Sequence, residues 1–219
     1  MTATARDRLA VHPLRAARLV LGSVLVVGEV RARIVEVEAY GSPENGPWPD
    51  PAAHTYPGPT PRNDVMFGPA GHLYVYLSYG IHQCVNITAG PDGVGAGVLL
   101  RAASIESGLD LVRERRAVRD PDARLAAGPG RLGQALGITV ADKGIDVLDP
   151  ASEVGLEIAA RRGPVAAGPR IGRGARLDAT YREREAMAMA QVCGVRWVLP
   201  KPSDPEVIMR TVQEALGLA

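Results

Sequence analysis

Apolar and polar residues alternate along several short segments of this 219-residue chain. Because successive side chains of a strand point to opposite faces, such alternation predicts β-strands. The alternating segments are residues 23–27, 30–40, 73–78, 82–89, 97–103 and 154–160. Gly28 and Glu29 join the first two segments, and Tyr79 and Gly80 join the third and fourth, so we expect two hairpins.

Other segments are expected to be helical. These are residues 13–21, 104–118, 131–136, 173–193 and 204–216. Ser104 is a suitable N-cap for the second of them, and Gly137 is suited to ending the third. Strands surrounded by separate helices, without a regular βαβ alternation, indicate an α+β fold. We therefore expect a single domain over residues 1–219, with a curved, largely antiparallel β-sheet core.

Residues 41–71, between the second and third predicted strands, are rich in glycine, proline, asparagine and aspartate. These residue types form turns, and a connection of this length is uncommon unless it carries a function. We therefore expect an ordered loop that contributes functional residues.

The composition narrows the class of protein. Hydrophobic residues make up 46% of the chain and charged residues 22%, which is enough to bury the core of one domain. The sequence has no run of about eighteen apolar residues and no apolar stretch at its start. We expect a soluble, intracellular protein with no contact to a membrane.

No metal or cofactor is expected. Cys84 and Cys193 are too few for a disulfide framework and lack the spacing of a zinc site. The histidines at 54, 72 and 82 are scattered without a paired ligand spacing. The sequence has neither a Rossmann fingerprint nor a phosphate-loop motif. The common classes of protein that bind a nucleotide cofactor are therefore not expected.

The charge is balanced overall but locally basic. The net charge of +1 argues neither for nor against nucleic-acid binding. Basic residues do concentrate in one stretch, at Arg113, Arg115, Arg116, Arg119, Arg124 and Arg131. This run fits either a solvated helix face or a surface that contacts phosphates.

The alternation along residues 30–40 gives a candidate for chemistry. It places Val35, Val37 and Ala39 on one face of the strand. The opposite face is then formed by Ala32, Ile34, Glu36, Glu38 and Tyr40. Glu38 could activate a water molecule while Tyr40 stacks on a planar substrate. The alternative is a solvent-facing strand that exposes its glutamates.

Tyrosines are concentrated in one part of the chain. It has one phenylalanine and six tyrosines, and Tyr74, Tyr76 and Tyr79 lie around a single strand and turn. Tyrosine rings suit stacking on nucleic-acid bases, although Tyr74 fits packing against the sheet equally well. Neither Lys143 nor Lys201 stands out as a covalent nucleophile. Hydrolysis through water therefore fits better than covalent catalysis.

Collinear motifs over roughly residues 10–172 resemble the alkyladenine (3-methyladenine) DNA glycosylase family. The motifs are VEVEAY at 35–40, AAH at 52–54, TPRN at 60–63, LYVY at 73–76, YG at 79–80, NI at 86–87, VLLRA at 98–102, GP at 128–129 and PRIG at 169–172. So many segments in the same order are far more specific than one short motif. Residues 173–219 depart from the family, with an extra helix at 173–193 and a displaced strand at 194–199.

The resemblance implies an α+β domain that bends double-stranded DNA and binds a flipped purine in an aromatic pocket. It implies that Glu38 is the general base and that Arg101 helps it to hold the catalytic water. It also implies that Tyr40, His54 and Tyr76 are the rings of the base pocket and that Asn86 disfavours the guanine amino group. Tyr79 is implied to be the intercalating wedge. Arg62 and Arg131 are implied to contact DNA.

The activity implied by the resemblance is that of a monofunctional DNA glycosylase. Such an enzyme would remove purines of the 3-methyladenine, ethenoadenine or hypoxanthine type and leave an abasic site. We expect a cytoplasmic, nucleoid-associated monomer that needs no cofactor. Neutral lesions would also need a proton donor, for which Glu36 is one candidate.

Two other functions keep the same aromatic residues. A non-catalytic protein could flip a lesion and shield it, but it would not need a positioned carboxylate at Glu38. An RNA-binding or ribonucleoside-hydrolysing module would prefer single strands and a 2′-hydroxyl group.

Overall fold

The computed structural model describes residues 3–160, 165–168, 170 and 197–198. The chain divides into two compact units, Met1–Ala160 and Arg161–Ala219. The helices expected at 173–193 and 204–216 lie outside the described residues. A single domain over residues 1–219 stays a prediction.

The first unit is built on a six-stranded sheet. Its strands are β1 (Val24–Val27), β2 (Val30–Tyr40), β3 (Leu73–Ser78), β4 (His82–Ala89), β5 (Ala96–Ser107) and β6 (Val154–Glu157). Their order is β3-β4-β5-β2-β1-β6, and each neighbouring pair is antiparallel. The sheet is curled, and several helices pack against it. The expected α+β class and both expected hairpins are therefore confirmed.

Among its described residues, five α-helices and two short 3-10 helices complete the first unit. The α-helices are α1 (Ala5–Leu9), α2 (Pro13–Val20), α3 (Leu109–Arg116), α4 (Asp122–Leu125) and α5 (Pro129–Leu136), and the 3-10 helices are Asp64–Phe67 and Val140–Asp142. Helix α2 packs on β2, and α5 packs on β4. The core that they bury includes Leu9, Val20, Leu25, Ile34, Val85, Val98, Leu100, Leu132 and Leu136.

The described residues of the second unit include two short strands. β7 (Ala166–Ala167) and β8 (Trp197–Val198) pair in parallel. β8 lies within residues 194–199, where the sequence suggested a displaced strand.

The start predicted for helix α3 is wrong. Ser104 does not cap a helix, because β5 continues to Ser107 and Ser104 pairs with Arg33 of β2. Helix α3 begins only after Gly108, whose φ is +76°. A Cβ atom at Gly108 would lie 2.9 Å from the Cα atom of Val30. Pairing with a long neighbouring strand therefore outweighs the local capping preference of Ser104, and glycine allows the close turn that follows.

The face assignment predicted for β2 is wrong in its first half. Ala32 and Ile34, which the alternation placed on the face of Glu38, are buried in the core. Val37 also packs against this core, whereas Val35 is 53% exposed. The strand therefore changes the face that it buries between residues 34 and 37.

A double β-bulge explains this change. The β2–β5 ladder skips Val35 on β2 and Arg101 on β5, on either side of the Glu36–Ala102 pair. An extra residue in a strand re-aims the side chains that follow it. From Val37 onward the pairing is regular, and Glu36 and Glu38 both reach Arg101, so they share a face as predicted.

Candidate active site

One row of paired residues runs across the sheet on the face opposite the core. Tyr74 pairs with Asn86, Asn86 with Leu99, and Leu99 with Glu38. Directly paired residues of neighbouring strands point to the same face. Each of the four is nearly buried, with Glu38 only 7% exposed. The register alone therefore brings four strands' side chains into one site.

The loop at residues 41–71 is held by bonds between side chains and backbone. Asp50 accepts a hydrogen bond from the amide of Gly41, and the hydroxyl of Thr55 donates to the carbonyl oxygen of Gly41 over 2.6 Å. Asn63 is 2% exposed, and its Nδ2 atom donates to the carbonyl oxygen of His54 over 2.7 Å. Such bonds take the place of regular secondary structure. The loop is ordered as expected, and it places His54 against the sheet.

His54, Tyr74 and Tyr76 form a ring cluster with Arg62 at its edge. Nδ1 of His54 lies 2.8 Å from the hydroxyl oxygen of Tyr74. The ring centroids of His54 and Tyr76 are 4.5 Å apart, at an interplanar angle of 76°. The Cζ atom of Arg62 lies 5.4 Å from the Tyr76 centroid, within range of a cation–π contact. His54 and Tyr76 were predicted to meet, whereas Tyr74 and the ring contact of Arg62 are additions.

The environment of the ring cluster favours uncharged rings. Burial lowers the pKa of His54, and the positive charge of Arg62 lowers it further. Burial raises the pKa of Tyr74, although Arg62 opposes the shift, and burial also raises the pKa of Tyr76. At neutral pH the imidazole is therefore neutral and both phenols keep their protons.

Glu38 lies beside hydrogen-bond donors on the same face of the sheet. The hydroxyl of Tyr40 donates to Oε2 of Glu38 over 2.9 Å, and Nη1 of Arg101 lies 3.4 Å from the same oxygen. Nε of Arg101 donates to Oε1 of Glu36 over 2.9 Å. Burial by itself would lower the pKa of Arg101, but attraction to Glu38 and Glu36 outweighs it and raises the pKa. A charged guanidinium therefore balances the buried carboxylate.

This arrangement has a definite chemical capacity. A carboxylate such as Glu38 can accept a proton from a water molecule that Arg101 helps to hold. The adjacent rings can bind a flat, partly apolar group by stacking. The sheet therefore places a candidate base beside a candidate stacking site.

Asn86 lies between the two parts of the site. It is 4% exposed, and its Nδ2 atom donates to the carbonyl oxygen of Tyr74 over 3.1 Å. Because the side-chain NH₂ group of this buried amide is hydrogen-bonded to the backbone, the orientation of the amide is fixed. The structure therefore brings Asn86 into the site with the other predicted pocket residues.

Tyr79 lies at the tip of the β3–β4 hairpin rather than in the ring cluster. It is 87% exposed, and its neighbour Ile81 is 72% exposed. Its φ is +50°, a conformation that is uncommon for a residue with a side chain. The amide of Ile81 donates to the carbonyl oxygen of Ser78 and closes the turn. The fold thus presents one aromatic ring on a strained, tight turn.

Arg131 is exposed in the first turn of α5. That end of the helix is fixed beside the site, because the amide of Gly128 donates to the carbonyl oxygen of Arg101 over 2.8 Å. Several other cations of the basic run have contacts within the protein. Arg113 pairs with Asp122, Arg115 donates to the carbonyl oxygen of Leu136, and Arg116 pairs with Asp120. Much of the run therefore stabilises helices.

Among the described residues, no three His, Cys, Asp or Glu side chains are grouped as a metal site would require. No helix there is long and apolar enough to cross a membrane. Cys84 is a buried, free thiol, and burial raises its pKa.

Sequence reasoning missed three contributors to the site. Tyr74 had a signal, because it shares a strand face with Tyr76, but packing was an equal alternative. Asn63 had no signal in the sequence beyond its place in the TPRN motif at residues 60–63. The contact between Glu36 and Arg101 depends on a bulge that local patterns do not reveal.

Comparison with known proteins shows the family of this chain. A family model described as methylpurine-DNA glycosylase matches residues 7–184. The chain therefore belongs to the methylpurine-DNA glycosylase family, a family of DNA repair hydrolases. The match extends past residue 172, where the resemblance in the sequence motifs ended.

Individual relatives carry the same kind of name. A protein of Rhodococcus jostii (strain RHA1) is 55% identical over 171 residues, covering 78% of this chain and 76% of the relative. A protein of Nocardia farcinica (strain IFM 10152) is 52% identical over 184 residues, covering 83% and 87%. One from Mycobacterium tuberculosis (strain ATCC 25177 / H37Ra) is 51% identical over 176 residues, covering 80% and 86%. All three are provisionally named 3-methyladenine DNA glycosylases.

Proposed function

We propose that this protein hydrolyses the N-glycosidic bond of a damaged purine in double-stranded DNA. The observation that carries the proposal is the buried carboxylate of Glu38, held by Tyr40 and Arg101 beside the ring cluster. A protein that only bound and shielded the lesion would need the stacking rings but no carboxylate beside them, whereas hydrolysis needs a base to accept a proton from water. The family membership makes DNA the expected substrate.

Glu38 acts as the general base in this proposal. It accepts a proton from a water molecule, whose oxygen forms a bond to C1′ of the deoxyribose. The purine departs with the electrons of the N-glycosidic bond and leaves an abasic site. Arg101 orients the carboxylate and the water, and its raised pKa keeps it charged throughout.

The flipped base enters between Tyr40, His54 and Tyr76. Alkylation at N3 or N7 makes a purine cationic, so tyrosine faces attract it through cation–π interactions. Such a base leaves without further protonation. Asn86, buried between the ring cluster and Glu38, disfavours the exocyclic amino group of guanine in this proposal. Lesions of the ethenoadenine and hypoxanthine type would bind by the same stacking.

Tyr79 is the wedge that fills the gap left by the flipped nucleotide. Its exposed position at a hairpin tip supports this role, because a wedge must reach beyond the protein surface. Filling the gap offsets part of the unstacking free energy, which is a few kcal/mol and smallest for a poorly paired base. Arg62 and Arg131 contact phosphates in this arrangement.

The proposed enzyme is monofunctional and acts as a cytoplasmic, nucleoid-associated monomer. Nζ of Lys143 lies 2.8 Å from Asp64 in an ion pair, so this lysine does not offer a site amine for covalent catalysis. We expect borohydride to trap no covalent complex between protein and DNA. Strand cleavage without added alkali would contradict a purely hydrolytic reaction.

The decisive experiment measures base release from duplex oligonucleotides with a single 3-methyladenine, ethenoadenine or hypoxanthine. Glu38→Gln keeps the size of the side chain but removes its basicity, so release should disappear while lesion binding persists. Tight lesion binding without release by the wild-type protein would instead favour the shielding function. Preferred binding of single-stranded RNA in competition with the duplex would favour the RNA module.

A further inference from the structure

We propose that Glu36 is a positioning residue, which holds the Arg101 guanidinium at a set distance from Glu38. The inference rests on the proposed function, because it assigns Glu36 a part in the activation of water by Glu38. Glu36 itself would touch neither the base nor the water.

The double bulge creates the arrangement. The ladder skips Arg101, so its side chain is not matched to a cross-strand neighbour and instead reaches both carboxylates of β2. Glu36 and Glu38 are two residues apart on β2, and both reach Arg101, so they share a face. A regular β2–β5 register would not leave an arginine between them.

The two contacts of Arg101 are unequal. Nε lies 2.9 Å from Oε1 of Glu36, a normal length for a charge-assisted hydrogen bond. Nη1 lies 3.4 Å from Oε2 of Glu38, which is longer than such a bond. The bond at Nε restrains the plane of the guanidinium and keeps it from closing fully on Glu38.

This restraint has a consequence for catalysis. A guanidinium that closed on Glu38 would stabilise its charge more strongly and weaken it as a base. It would also take the hydrogen-bonding position that a catalytic water needs. Without Glu36, therefore, the excision step slows, while lesion binding by the ring cluster is retained.

A positioning role differs from that of a proton donor. A proton donor matters for a neutral leaving base such as hypoxanthine and little for a cationic one such as 3-methyladenine. A positioning residue acts on the water, which attacks in both reactions. The ratio of the effects on the two lesions therefore separates the roles.

The test is single-turnover excision of 3-methyladenine and of hypoxanthine from duplex DNA by Glu36→Ala and Glu36→Gln. We expect Glu36→Ala to slow both excisions by about tenfold, because a small misplacement of a catalytic group is enough to lower the rate. Glu36→Gln keeps a hydrogen-bond acceptor without the charge, so its excision rates should lie between those of Glu36→Ala and those of wild type. The dissociation constant for the lesion duplex should be unchanged.

The matched control is Glu106→Gln. Glu106 forms an ion pair with Arg33 across the same two strands. Its substitution makes the same charge change and should leave both excision rates at the wild-type level. Because the Glu36 side chain is 47% exposed, its substitution should also preserve the fold, which a thermal melt checks.

A double-mutant cycle completes the test. If Glu36 acts only through Arg101, then Glu36→Ala should have no further effect in an Arg101→Ala background. Additive losses, a loss confined to hypoxanthine, or wild-type rates in Glu36→Ala would each overturn the proposal. Failure of the proposed function is distinct, since it would appear as no base release by wild type or as full release by Glu38→Gln.

Discussion

Nη1 of Arg101 lies 3.4 Å from Oε2 of Glu38, across the β2–β5 strand pair and almost out of contact with solvent. The side chain of Arg101 is 15% exposed and that of Glu38 is 7% exposed. Because neither charge is well hydrated, each depends on the other. Removal of one partner should therefore affect stability as well as activity.

The first prediction concerns this pair. Arg101→Met should lower the free energy of unfolding by about 2 to 3 kcal/mol, because it leaves a buried carboxylate without its counter-charge. Adding Glu38→Gln should restore part of the loss. Urea denaturation measures both. The exposed pair of Arg33 and Glu106 serves as the control, and Arg33→Met should cost at most about 1 kcal/mol.

A second prediction follows from the lowered pKa of His54. Burial and the charge of Arg62 hold the folded-state pKa below the ordinary value of 6.5. Below pH 6.5 the unfolded state therefore binds more protons, and the free energy of unfolding falls until the folded-state pKa is passed. Above pH 6.5 this contribution is constant.

Urea denaturation from pH 7.5 to pH 5 checks that dependence. His54→Gln should be less sensitive to acid than wild type, because the titrating group is gone. Arg62→Gln should also reduce the sensitivity, since it removes one cause of the lowered pKa. Equal pH profiles for wild type and His54→Gln would show that His54 does not titrate differently on folding.

A third prediction separates stability from function at Tyr79. Asparagine tolerates a positive φ better than tyrosine, and the Tyr79 ring buries almost nothing. Tyr79→Asn should therefore leave the free energy of unfolding unchanged or raise it by up to about 1 kcal/mol. Excision should fall, because the wedge is lost. Tyr79→Phe retains the ring and should keep most of the activity; equal losses in the two variants would argue against a wedge.

A fourth prediction divides the basic run. Nη1 of Arg115 donates to the carbonyl oxygens of Ala135 and Leu136 at the end of α5, so Arg115→Ala should lower stability by about 1 to 2 kcal/mol. Arg131→Ala should leave stability unchanged and weaken DNA binding. If Arg131 contacts one phosphate, the slope of log affinity against log salt should also fall by about one. Fluorescence anisotropy at several salt concentrations measures this slope, and an unchanged slope would exclude the contact.

Local patterns in the sequence determined much of this protein. The strands around Tyr79 and Gly80 were predicted with their bounds, because alternation and turn-forming residues act over a few neighbours. The shared face of Glu38 and Tyr40 followed from a separation of two residues. The sequence motifs were enough to predict the family, and the comparisons confirmed that prediction.

Only the tertiary structure decided which residues meet. Ser104 has the chemistry of a helix cap, but pairing with Arg33 keeps it in a strand. Alternation predicted Ile34 beside Glu38, but the bulge at Val35 turns it into the core. The contact of Arg101 with two carboxylates likewise depends on the register between strands far apart in the chain. Sequence periodicity describes one strand at a time, whereas register is set by the packing of several strands together.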